Sequence, residues 1–137
     1  MSVFVIDASA TLATCFADEA SNWSLQLLAR LKQDDQGAAP SNWAVETFNG
    51  LIMAVRRKRI TADELVSLWE RVADLPVTVE LGLSRAEALA VLKLSEKHKL
   101  TAYDASYLEL SMRKHLPLAT LDQDLRRAAA SENVILV

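Results

Sequence analysis

Four carboxylates are set apart by where they fall: Asp7, Glu46, Asp104 and Asp122. Each lies at an expected strand-to-helix junction or in the first turn of an expected helix. Gathered at one end of a sheet, they would make an all-oxygen ligand set of the kind Mg2+ and Mn2+ prefer. A cation held this way keeps several waters and can acidify one of them into a nucleophile. Without a cation the crowded carboxylates would repel one another, and at least one pKa would rise. Taken singly, each acid has a plainer reading. Asp7, like Ser9, can cap a first helix, and Asp122 can cap the last. Asp104 can complete a capping box opened by Thr101. Glu46 can complement a helix dipole. Asp124 lies only two residues beyond Asp122, so the choice between them stays open.

The elements that would position these acids alternate between short apolar runs and longer helical patterns. Val3–Ile6 is apolar throughout, as a strand buried on both faces would be. Residues 38–40 form a weak short strand, Val77–Val79 another, and 118–120 and 134–137 two more. Residues 21–33 carry Trp23, Leu27, Leu28 and Leu31 on one stripe. Residues 43–57 carry Val45, Phe48, Ile52 and Val55 on one helical face. Capping boxes at Thr61–Glu64 and Ser84–Glu87 open two further helices, the second running to about Lys97. Helices over 102–115 and 122–130 complete the series. The alternation predicts a central, mainly parallel sheet of four to five short strands between helical layers. In such sheets ligands bind beyond the carboxyl ends of the strands, where Asp7 and Asp122 fall.

Composition fits a folded domain. The chain has 137 residues, 51% hydrophobic and 24% charged, the profile of a globular protein rather than a disordered one. One domain over residues 1–137 is the simplest reading, with no internal repeat or linker. A domain of this length buries roughly 68–70% of its unfolded surface and needs no disulfide or structural metal. The single cysteine, Cys15, cannot form an internal disulfide, which suits a reducing compartment. No signal peptide and no run of about 18 apolar residues is visible, so a cytoplasmic protein without membrane insertion is expected. The net charge of −3 is unlike that of a dedicated duplex-DNA binder, although a bound cation would offset part of an acidic cluster.

Four segments carry a resemblance to a known family: Val5-Ile-Asp-Ala-Ser-Ala, Trp43-Ala-Val-Glu-Thr-Phe-Asn-Gly-Leu, Leu100-Thr-Ala-Tyr-Asp-Ala-Ser-Tyr-Leu-Glu-Leu, and Leu116-Pro-Leu-Ala-Thr-Leu-Asp-Gln-Asp-Leu. In order and spacing the chain resembles the PIN-domain ribonucleases, specifically the VapC-like toxins of type II toxin–antitoxin pairs, over nearly its whole length. The resemblance implies a three-layer α/β/α PIN-like fold and a Mg2+- or Mn2+-dependent endoribonuclease. It makes Asp7, Glu46, Asp104 and Asp122 the acidic quartet, with Asp7 and Asp104 as metal ligands. Ser9, Asn49, Thr120 and Asp124 match supporting positions. It further implies cleavage of single-stranded or loop RNA, leaving a 3′-hydroxyl and a 5′-phosphate. It also implies a homodimer and a cognate VapB-like antitoxin lying in a hydrophobic groove.

Such chemistry asks for no His or Cys nucleophile. His98 and His115 lie outside the four segments, and Cys15 has no basic neighbour in sequence. Candidate phosphate contacts are Arg56, Arg57, Lys58 and Arg59, then Arg113, Lys114, Arg126 and Arg127. Basic helix ends are also ordinary solvated features. Trp23, Trp43 and Trp69 could serve an interface or the core. Three other classes compete. A dinucleotide-binding domain would need a glycine-rich loop where Asp7-Ala-Ser-Ala-Thr stands. An aspartyl phosphatase would want an acid where Ser9 is found. A non-catalytic PIN-type RNA-binding or scaffold subunit keeps the fold without the reaction, and the complete quartet argues against it.

Overall fold

The run Val3–Ile6 forms β1, and Phe4, Val5 and Ile6 are all fully buried. The alternation of a strand sends Val5 to one face and Phe4 and Ile6 to the other. Val5 joins the larger core cluster, whereas Phe4 and Ile6 pack with Leu27 and Leu31 of a helix on the opposite side. Two apolar layers separated by one strand are the signature of an α/β/α sandwich, as expected. The computed structural model describes residues 1–137, apart from the side chain of Ala17.

The sheet has four parallel strands in the order β3-β2-β1-β4, with β2 at Gln36–Ala39, β3 at Val77–Val79 and β4 at Leu118–Ala119. β2 begins two residues before the expected run at 38–40 and stops before Pro40, which has no N–H to give a ladder. Gly37 gives β2 its close neighbours. A Cβ there would come within 3.0 Å of both Ile6 and Val77. No strand forms over 134–137. Leu136 makes only an isolated parallel bridge to Leu118, because two-residue β4 offers little edge to pair with.

Seven helices cover the sheet: α1 (Ala8–Ala13), α2 (Asn22–Gln33), α3 (Trp43–Arg56), α4 (Ala62–Ala73), α5 (Arg85–His98), α6 (Ala102–Lys114) and α7 (Gln123–Ser131). The Thr61–Glu64 capping box forms in full. At Ser84 only half forms, since the Glu87 carboxylate takes the Ser84 hydroxyl rather than a backbone N–H. α1 packs closely on α3, and Gly50 permits this: a Cβ on it would lie 2.3 Å from Leu12 Cδ1. Among the described residues no helix is long and apolar enough to cross a membrane.

Candidate active site

The chain places β2 and β3 to one side of β1 and then returns to lay β4 on the other side. A crevice opens where strand order reverses in this way, beyond the carboxyl ends of the two strands that flank it. Asp7 follows β1 and Asp122 follows β4, so the fold sets these two acids at that point. The Asp7 N–H donates to the Ala119 carbonyl at 3.2 Å, which stitches the two strand ends together.

Asp7 is 3% exposed and also caps α1. Its Oδ1 accepts from the Ser9 hydroxyl at 2.7 Å and from the Ala10 N–H at 2.8 Å. Its Oδ2 accepts from the Thr120 hydroxyl. Both hydroxyls are themselves aimed by backbone amides: Leu121 N–H donates to Ser9 Oγ and Asp122 N–H to Thr120 Oγ1, each at 3.0 Å. With an acceptor position of each hydroxyl taken this way, the protons are left to Asp7. Burial still pushes the Asp7 carboxyl above the usual range, aided by the charge of Asp122 and opposed by these hydrogen bonds.

Glu46 sits in the first turn of α3. Asn42 stands at the cap of that helix but makes no cap hydrogen bond. Its Nδ2 donates instead to Glu46 Oε2 at 2.5 Å, and the buried Tyr107 hydroxyl donates to the same oxygen at 2.7 Å. Burial raises the Glu46 pKa, the two donors lower it, and the charge of Asp104 raises it. Burial first, then the Glu46 carboxylate, holds the Tyr107 phenol far above its usual value.

Asp104 lies in the first turn of α6, half-buried. Its pKa is pushed up to about 6, by burial first and then by the charges of Asp122, Asp7 and Asp124. Asp122 caps α7 through Leu125 N–H. No Lys, Arg or His among the described residues pairs with Asp7, Glu46, Asp104 or Asp122. Asp7, Glu46 and Asp104 are each pushed toward the protonated form by a neighbouring carboxylate, with no cationic side chain to relieve them. Among the described residues no three acid, His or Cys groups stand close enough to enclose an ion between them. Mg2+ asks for less than an enclosure, since it binds through one or two carboxylates and keeps its waters. An all-oxygen set carrying uncompensated charge fits such a cation.

A family model, PIN domain, matches residues 4–131. The chain belongs to the PIN domain family. Among solved structures it is similar to a Pyrobaculum aerophilum protein at 22% identity and TM-score 0.70, covering 93% of this chain and 79% of that one. It is also similar to VapBC2 from Rickettsia felis, bound to a promoter DNA fragment, at 12% identity and TM-score 0.68, covering 98% and 97%. A third is VapC20 from Mycobacterium tuberculosis, described as a sarcin–ricin loop cleaving toxin, at 16% identity and TM-score 0.64, covering 93% and 95%. Identities this low show a shared fold. A search of curated protein sequences gave no match.

Within this PIN domain the supporting positions divide. Ser9 and Thr120 join the Asp7 network. Asn49 is exposed on α3 and makes no side-chain hydrogen bond, and exposed Asp124 pairs with Arg127 at 3.4 Å. Asp124 acts on Asp104 only through its charge, whereas Asp122 acts on both Asp104 and Asp7, which favours Asp122. The basic residues divide as well. Arg126 reaches the site, donating to the Thr120 carbonyl at 3.0 Å. Arg56, Arg57, Lys58 and Arg59 do not, since they lie at the far end of α3, about 15 Å along the axis from Glu46. Arg59 is also engaged by Asp18 and Glu19 and lies over Phe16. Arg113 and Lys114 are tied to Glu80, and Arg113 to Glu109. Trp43 is core, donating to Thr11, while Trp23 bonds the Val137 carbonyl and Trp69 meets Phe48 edge to face. Sequence reasoning missed Asn42 and Tyr107. The only available signal was a pair of polar groups placed four residues from Glu46 and three from Asp104.

Proposed function

We propose that this PIN domain is a divalent-metal-dependent endoribonuclease and the toxin of a VapBC-type pair, one domain over residues 1–137. The observation that carries the reading is the group of four acids near the sheet's switch point, three of them pushed toward the protonated form by a neighbouring carboxylate and none paired with a cationic side chain. Asp7 and Asp104 would hold Mg2+ or Mn2+. When bound, the cation neutralises charge on the phosphodiester and acidifies water. Asp7 presents Oδ2, its less occupied oxygen, with its geometry fixed by Ser9 and Thr120. Glu46 and Asp122 orient the attacking water and accept its proton. Water adds to phosphorus, the bond to the 3′ oxygen breaks, and that oxygen leaves, taking a proton from solvent, as the 3′-hydroxyl opposite a 5′-phosphate. Arg126 stands where an RNA phosphate can be met.

An antitoxin partner is supported by structural neighbours described as toxin–antitoxin complexes. The homodimer rests on the family resemblance alone. The deciding experiment incubates the protein with single-stranded RNA in Mg2+, Mn2+ or EDTA, beside Asp104→Asn. Metal-dependent cleavage lost in the variant is expected. RNA binding without cleavage under any metal would favour the scaffold subunit instead.

A further inference from the structure

We propose that Tyr107 is a positioning residue for Glu46, fixing which carboxylate oxygen faces the reaction. The inference rests on the nuclease reading above. Tyr107 is 0% exposed, and at such a position phenylalanine would fill the volume without the cost of burying a hydroxyl. The hydroxyl has a definite use. It donates to Glu46 Oε2 at 2.7 Å. Asn42 Nδ2 donates to that same Oε2. Both acceptor positions of Oε2 are therefore filled, while Oε1 takes no hydrogen bond from any described residue. The two donors stop the carboxylate from rotating and leave Oε1 free for a water or an ion. Tyr107 lies one turn beyond Asp104 on α6. One buried hydroxyl thus ties Glu46 on α3 to α6, the helix that carries Asp104.

The test is Tyr107→Phe, assayed for RNA cleavage under saturating Mn2+ and for the Mn2+-induced rise in Tm. A positioning role predicts kcat reduced about 10- to 100-fold, the usual effect of losing a group that orients a site carboxylate, with KM and the Mn2+ rise in Tm retained. In a Glu46→Asp background, whose shortened carboxylate cannot reach the phenol, the same change should add nothing. Should Tyr107→Phe unfold, Asn42→Ala removes the other donor from a half-buried position and is expected to lower kcat alone. An unchanged kcat, or an equal loss in the Glu46→Asp background, overturns the positioning role while leaving the nuclease reading intact. A wild-type protein that cleaves no RNA overturns both.

Discussion

Thr120 hands its hydroxyl hydrogen to Oδ2 of Asp7, 113 positions earlier in the chain, while the Asp122 N–H holds the other side of that hydroxyl. Thr120→Val keeps the shape but deprives a buried carboxylate of a donor and a backbone N–H of its acceptor. The expected loss is about 1–3 kcal/mol of folding stability, the cost of leaving buried polar groups unpaired. Urea unfolding measures it, and Thr120→Ser should recover most of it. A Val variant as stable as wild type would mean that the relay does not support Asp7.

Asp7 and Asp104 should respond differently to amidation. Asp7 accepts from three donors and caps α1. An amide offers one accepting oxygen and turns an NH2 toward the rest. Asp7→Asn is expected to lose activity and stability together. Asp104→Asn removes a charge that its neighbours disfavour, so it should lose activity while melting at or above the wild-type temperature in EDTA. Thermal melts of both variants compare them directly, and an Asp104→Asn protein that melts well below wild type would contradict the repulsion.

The metal-free protein should grow less stable as pH rises from about 4 to about 6. Asp104 ionises at 3.8 in an unfolded chain and at about 6 in the fold. Across that window the folded state holds the extra proton, so stability falls with rising pH. Asp7 and Glu46 are shifted in the same direction. Below the window the sign reverses, because Asp18, Asp35, Glu80 and Glu132 are held low by Arg, Lys and His partners and lose those contacts on protonation. Denaturation in EDTA at pH 4.5 and 7.5 reads the slope. Asp104→Asn and saturating Mn2+ should each flatten it, and a slope untouched by Asp104→Asn would assign it to other groups.

RNA binding should separate the arginines. Arg126→Ala, at the Thr120 carbonyl, is expected to weaken single-stranded RNA binding and to reduce its dependence on salt by roughly one phosphate contact. Arg56→Ala, at the opposite end of α3, should leave both unchanged. Filter binding at several salt concentrations distinguishes them, and equal effects would extend the RNA contact from Arg126 on α7 to the far end of α3.

The sequence made legible what local patterns determine. Val3–Ile6 is a strand because nothing in it tolerates water, and the Thr61–Glu64 helix starts where its side chains satisfy the first backbone donors. The helix-start positions of Asp104 and Glu46 follow from the same logic. Pairing between distant segments was less visible. The weak run at 38–40 lies two residues late because Gly37, needed for close strand approach, reads as a breaker. The run 134–137 has strand composition but finds only two residues of β4 beside it. Tyr107 escaped notice because its partner Glu46 is 61 positions away, a separation that only the fold closes. The basic run 56–59 looked like a phosphate contact because charge is visible in sequence and distance from the acids is not.

The place of β1 in the sheet sets a schedule for synthesis. It precedes its sheet partners in the chain, and β2 can pair with one of its edges early. Its other edge waits for β4, and the Asp7 carboxylate waits with it for Ser9 and Thr120 to be aimed by residues 121 and 122. Until that late segment is translated and docked, the nascent chain has Asp7 and Glu46 but neither a closed crevice nor the full set of acids. The acidic cluster is therefore complete only once the segment carrying Asp104 and Asp122 has been made and packed.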